Sequence, residues 1–253
     1  LPTTLRGGTL IARIPKPLSP SKVGIRVSAV DPAGNAVTSL VTSMSLSTRT
    51  GKHFHKVRHA RARVPYGRAV QLAGRLTTTD GVPIAHQPIA VTGVLRRTGA
   101  GPEPVTTAVT DTNGRFRFSV PAGPSRTLTV AYAGNAGVLR RARTASLRVP
   151  ARATIRAGRR VLHGTGRVRF HGRLKTLGAA LPPGGKIVEL QAAQRGHWTT
   201  VATTRAKGPK AAWHARARFR GTPGRYPVRL RIRREAAFPY ERGYSRAVPV
   251  RVR

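Results

Sequence analysis

The chain has 253 residues, room for one large or two small domains. Its 47 Lys and Arg against 7 Asp and Glu leave a formal charge of +40, an excess that seeks polyanions or counterions. So few carboxylates nearly exclude a multi-carboxylate metal site, and the lack of cysteine excludes thiolate catalysis, Cys-ligated zinc and disulfides.

Apolar residues at 39% and aromatics at 5% imply thin cores. No window approaches the ~18 consecutive apolar residues of a membrane-spanning helix, so no membrane insertion is expected. The start at Leu1, without Met or a signal peptide, reads as a processed chain or a fragment. Apolar residues alternate with period two and nowhere sustain a helical period, which makes the chain all-β.

In chain order, Val23–Val30 reads as a strand, Asp31–Asn35 as a turn and Ala36–Leu46 as a second strand. Fewer than ~50 residues rarely hold a sandwich alone, so residues 1–49 are expected to be the C-terminal part of a truncated domain. Residues 50–61 have no apolar period and read as a basic linker kept extended by self-repulsion. Its His53, His55 and His59 have no nearby carboxylate to complete a metal set, so no metal site is assigned.

The middle copy, 62–150, alternates clearly at Val70 and Leu72, at Phe116, Phe118 and Val120, and at Leu128, Val130 and Tyr132. Asp80-Gly81 and Asn113-Gly114 supply the positive φ of tight hairpin turns. Asp111 with Asn113 looks like half a calcium loop, but the bidentate Glu is missing, and turn formation is the better reading.

The last copy, 151–253, repeats this plan. Val168-Arg169-Phe170-His171-Gly172-Arg173-Leu174 matches Val70-Gln71-Leu72-Ala73-Gly74-Arg75-Leu76 as V-x-[L/F]-x-G-R-L, offset by 98 residues. Strands at this spacing over about 100 residues fit an immunoglobulin-like β-sandwich or a small barrel, and the sandwich is preferred.

No catalytic residue and no cofactor site emerges. Gly243-Tyr244-Ser245-Arg246-Ala247 has the spacing of a nucleophile elbow, but a strand follows where the motif needs a helix. Gly184-Gly185-Lys186 lacks the remainder of a phosphate-binding loop. Trp198, Trp213, Phe219, Tyr226 and Phe238 are expected to be claimed by the core.

The arginines form a more specific pattern. Arg216, Arg218 and Arg220 alternate with Ala217 and Phe219, and Arg229, Arg231 and Arg233 alternate with Leu230 and Ile232. If the Gly221–Gly224 turn joins the two strands as a hairpin, Arg216, Arg218, Arg229, Arg231 and Arg233 form one outward ladder. Facing like charges cost tenths of a kcal/mol to about 1 kcal/mol each, and Arg's planar fork suits phosphate, sulfate or carboxylate. The alternative is that arginine merely coats solvent-facing strands, its stems covering apolar surface.

Ala29-Val30-Asp31-Pro32-Ala33-Gly34-Asn35-Ala36 resembles the closing hairpin of bacterial immunoglobulin-like repeats. The middle copy resembles carboxypeptidase-regulatory-like modules through Thr110-Asp111-Thr112-Asn113-Gly114-Arg115-Phe116 and Asp80-Gly81-Val82-Pro83. The last copy, through Gly184–Gln191 and Phe238-Pro239-Tyr240-Glu241-Arg242-Gly243-Tyr244-Ser245, is similar to a companion module in surface proteins of high-GC Gram-positive bacteria. It departs from the family at Thr204-Arg205-Ala206-Lys207-Gly208-Pro209, where T-D-x-x-G is usual.

The resemblance implies secreted or cell-surface, non-catalytic sandwich modules serving adhesion or spacing. Two alternatives stand beside it. One is a module binding cell-wall teichoic acid, acidic polysaccharide or, without sequence preference, nucleic acid. The other is a set of accessory domains of a larger secreted enzyme. Oligomeric state is not legible.

Overall fold

The structure, a computed structural model, describes residues 61–253 except 136–137 and, before them, six strands and the side chain of Met44. Every described regular element is a strand, so none is a helix long and apolar enough to cross a membrane.

Two hairpins come first. β1 (Thr3–Arg6) pairs with β2 (Thr9–Ala12), and β3 (Arg26–Val30) with β4 (Ala36–Leu40), both antiparallel. The turn expected at 31–35, like His53 and His59, lies outside the described residues.

The strands of the middle copy are β5 (Thr42–Arg49), β6 (Phe54–Lys56), β7 (Arg61–Arg63), β8 (Val70–Thr78), β9 (Pro88–Leu95), β10 (Pro102–Val109), β11 (Arg115–Val120), β12 (Arg126–Tyr132) and β13 (Arg141–Arg148). They form two sheets, β11-β8-β5-β6 and β10-β9-β12-β13-β7. Between them lie Leu72, Leu76, Ile89, Leu128 and Val130, all fully buried. Phe116, Phe118 and Val120 point inward as their alternation requires. Asp111 shapes the turn before them: its Oδ1 accepts from the N–H of Asn113 at 2.9 Å and of Arg115 at 2.7 Å.

One segment departs from the expected division. Thr42–Arg49, read as the end of a preceding domain, pairs antiparallel with β8 from Thr42↔Thr78 to Arg49↔Gln71, and Met44 is buried in the shared core. Phe54–Lys56, read as linker, adds an outer strand to it. An edge strand's free N–H and C=O groups are satisfied by any in-register neighbour, and here the neighbour comes from upstream.

The last copy has β14 (Arg152–Ala153), β15 (Arg156–Ala157), β16 (Val161–Leu162), β17 (Gly166–Lys175), β18 (Lys186–Gln194), β19 (His197–Ala206), β20 (Ala212–Phe219), β21 (Gly224–Ile232), β22 (Gly243–Tyr244) and β23 (Val248–Val252). In one sheet, β14, β15 and β20 all pair with β17; the other runs β16-β23-β21-β18-β19, with β22 on β21.

The two copies share a topology. β5 stands to β8 as β14 and β15 stand to β17, and the short β7 and β16 each pair parallel with the closing strand, β13 or β23. A first strand split between two antiparallel sheets is an immunoglobulin-like arrangement, and the chain is all-β with tandem immunoglobulin-like sandwiches. The barrel alternative falls, because each copy has two separate sheets.

The sandwiches meet along residues 235–241. Glu241 N–H donates to Val149 O, and Ala151 N–H donates back to Glu241 O, both at 2.9 Å. Ser125 N–H donates to Pro239 O at 2.8 Å and Thr98 N–H to Ala236 O at 3.0 Å. Tyr66 and Tyr240 pack with ring centroids 6.0 Å apart, and the Tyr240 hydroxyl donates to Thr176 O. Burial pushes both phenols up, Tyr240 well above its ordinary value.

The Glu241 carboxylate sits at the centre of this joint. Its Oε1 receives Arg148 Nη1 at 3.1 Å and Arg96 Nη1 at 3.3 Å, while Arg234 lies 3.8 Å from Oε2. Lys186, fully buried, anchors the start of the segment: its Nζ lies 2.6 Å from Glu235 Oε1 and 5.7 Å from the Phe238 ring centroid. Burial lowers the Lys186 pKa, and Glu235 opposes that shift.

Candidate functional site

The five arginines expected to form a ladder are divided between the two sheets of the last sandwich. β20 pairs with β17, whereas β21 pairs with β18 and β23, so the Gly221–Gly224 connection crosses from one sheet to the other and makes no hairpin. Arg216 and Arg218 stay together on one outer face, and Arg229, Arg231 and Arg233 lie on the opposite sheet.

On that opposite sheet these three arginines are compensated. Glu189 takes Arg233 Nε at 2.6 Å and Arg231 Nε at 3.4 Å. Arg229 lies 3.8 Å from the Trp198 ring centroid and 4.1 Å from that of Tyr244, and its Nε donates to Gln191 Oε1 at 3.1 Å. Burial lowers the Arg229 pKa. These three arginines close a surface network and are not a free face.

The β17–β20 face is different. Its antiparallel register sets Arg169 opposite Arg216 and Arg167 opposite Arg218, with His171 opposite His214 in the next row. All six side chains are exposed because Val168, Phe170, Trp213, Ala217 and Phe219 take the alternate, inward positions. Arg159 joins them, and Arg159, Arg167, Arg169 and Arg216 surround a depression of about 360 Å³ that includes Gly158. Gly158 N–H donates to Arg169 O at 2.8 Å, so this glycine stands beside the Arg169 row.

Among the described residues, none of these five arginine side chains makes an ion pair or a side-chain hydrogen bond. The carboxylates of the last copy, Glu189, Glu235 and Glu241, are all engaged elsewhere. The sequence reading missed Arg159, Arg167 and Arg169, although Arg167 and Arg169 alternate with Val168 and Phe170 inside the very repeat that aligned the two copies.

Other expected features resolve as structure. Ser245 is buried; its hydroxyl accepts from Leu230 N–H at 2.8 Å and donates to Arg246 O at 2.7 Å. Trp213, Phe219 and Phe238 are core residues, while Trp198 and Tyr226 are partly exposed. Among the described residues, no three His, Asp or Glu side chains come together as a metal set.

No family model matches the chain, and no curated protein matches it. Solved structures align over most of its length. FdeC, an Escherichia coli adhesin, aligns at 13% identity and TM-score 0.35, over 87% of this chain and 66% of that one. The Yersinia pseudotuberculosis adhesin InvE aligns at 11% and 0.33, over 85% and 58%. The fibronectin(III)-like modules of Clostridium thermocellum CbhA align at 11% and 0.27, over 76% and 88%. The chain thus spans less than two thirds of the first two. At TM-scores below 0.5 none of them carries an argument about what this chain does.

Proposed function

We propose that this chain is a non-catalytic structural segment of a secreted or cell-surface multi-domain protein, and that its two sandwiches act as one stiff spacer. The sandwiches, 62–150 and 151–253, with β5 and β6 contributed from upstream, are the units of that spacer. The surface setting rests on the sequence resemblance to modules of bacterial surface proteins.

The observation that carries the reading is the joint. Domains in one chain usually move relative to each other unless their interface is extensive. Here three backbone hydrogen bonds and the Arg96–Glu241–Arg148 cluster bind one copy to the other, and a fourth, from Ala151 to Glu241, fixes the first residue after Pro150 against the same segment. Backbone bonds fix direction as well as proximity, which is what a spacer needs to hold its neighbours at a set distance.

Small-angle scattering from the full chain tests this. A single rigid arrangement of the two sandwiches should reproduce the curve at low and high salt. A curve that requires a spread of inter-domain angles would overturn the spacer reading.

A further inference from the structure

The arginine face of β17 and β20 has no part in the joint, and its construction differs from a general coat of positive charge. The middle copy provides an internal control. In register, Gln71 and Ser119 of the middle copy occupy the places of Arg169 and Arg216, and the ladder ends one residue later at Val70 and Val120; the facing arginines of that copy, Arg75 and Arg115, lie two rows away, where Arg75 Nε donates to Asn113 O at 3.0 Å. The same fold thus carries a neutral pair at this row in one copy, and in the other an arginine pair followed by a second one in the next row.

That arrangement costs stability. Two arginine pairs face each other directly in adjacent rows, where like charges are unfavourable, and no carboxylate of the last copy is placed to relieve them. On the opposite sheet of the same sandwich, Glu189 does relieve Arg231 and Arg233. Elsewhere in this sandwich facing arginines come as a single row, Arg225 opposite Arg251 beside Pro227 and Pro249. Two adjacent rows without a carboxylate, beside a depression lined by Arg159, Arg167, Arg169, Arg216 and Gly158, are the geometry of an anion site.

We propose that Arg159, Arg167, Arg169, Arg216 and Arg218 form a binding face for a flexible phosphodiester polymer without bases, of the polyol-phosphate kind. Successive rows on one strand face are two residues apart, about 6.4–6.8 Å. An extended chain spans about 3.8 Å for every three covalent bonds, so phosphates six bonds apart, as in a glycerol phosphate polymer, stand at most about 7.6 Å apart and match two successive rows. Each row presents two guanidinium forks to one phosphate.

Nucleic acid has a similar phosphate spacing but fits less well. The face exposes no Phe, Tyr or Trp on which bases would stack, its ring side chains being the His171 and His214 imidazoles of the row beyond the arginines, and a flat sheet has no helix to enter a groove. This site is independent of the spacer reading, since it uses none of the residues of the joint.

The test is binding of the full chain to fluorescent poly(glycerol phosphate) across a salt series, with oligo-dT and heparin as competitors at equal charge. Three proteins are compared: wild type, Arg169→Gln/Arg216→Gln, and a control losing the same charge from the middle copy, Arg63→Gln/Arg68→Gln. The face variant should bind about tenfold or more weakly, and its plot of log affinity against log salt should flatten by about 0.8, for the one phosphate held by that row at roughly 0.7–0.9 per phosphate. It should melt no lower than wild type, because the change removes a repulsive pair, while the control should bind within about twofold of wild type.

Equal losses in both variants would show that net charge alone binds and would overturn the site. Stronger competition by oligo-dT or heparin than by unlabelled poly(glycerol phosphate) would overturn the choice of ligand.

Discussion

Arg148 of the middle sandwich and Glu241 of the last one meet at 3.1 Å, beside the backbone bonds that flank Pro150. Arg96, the residue just after β9 of the middle copy, reaches the same oxygen. One of only seven acids in the chain is thus spent on the line between its two folded units.

Glu241→Gln should therefore loosen the joint without unfolding either core. It leaves Arg96 and Arg148 facing each other without a carboxylate, a loss of about 1–3 kcal/mol for a partly buried charged contact. Calorimetry should show the cooperative transition broadening or splitting into two. A transition of unchanged shape and midpoint would mean that the carboxylate couples nothing.

Lys186 and Glu235 should behave as a pair. Glu235→Gln leaves the buried ammonium short of its counter-charge and should cost about 1–3 kcal/mol, whereas Lys186→Met with Glu235→Gln should recover most of that loss. The pH dependence has a definite sign. The Lys186 pKa lies below 10.5 in the folded chain, so the unfolded state binds more protons between the two values. Stability then gains a contribution as pH rises through that window. Denaturant midpoints measured from about pH 8 to about pH 10.5 should rise more for wild type than for Lys186→Met, which lacks the group; parallel curves would contradict the assignment.

Phe118 is buried on β11 and stacks at 6.4 Å on Phe116. Phe118→Ala should destabilise the middle sandwich by about 3–5 kcal/mol in a denaturant titration. An unchanged midpoint would contradict the inward phase of the strand.

Gly172, the glycine of the repeated V-x-[L/F]-x-G-R-L motif, lies against the backbone of the first strand. A Cβ there would stand 2.1 Å from Thr154 O. Gly172→Ala should push the β14–β15 segment off β17, and amide exchange at Thr154, bonded to Arg173 O, should accelerate. Exchange as slow as in wild type would contradict this close approach.

What was legible in the sequence is what depends on local pattern. The alternation at Phe116, Phe118 and Val120 gave the buried face of β11, and Asp111 with Gly114 gave its turn. The 98-residue repeat put β8 and β17 in equivalent places. Non-local pairing was not legible. Thr42–Arg49 alternates no differently from a strand of another domain, and only its register with β8 assigns it. The arginines of β20 and β21 have the same period, which does not reveal that the chain crosses between sheets at Gly221–Gly224. Glu241 stood inside a noticed motif, but its partners Arg96 and Arg148 lie far upstream, beyond any local signal.

The most direct test of the stiff two-sandwich account is the alignment of each sandwich, measured by residual dipolar couplings on the full chain. The account predicts one common alignment tensor for residues 62–150 and 151–253, and two different tensors after Glu241→Gln. Two different tensors in the wild-type chain would contradict it.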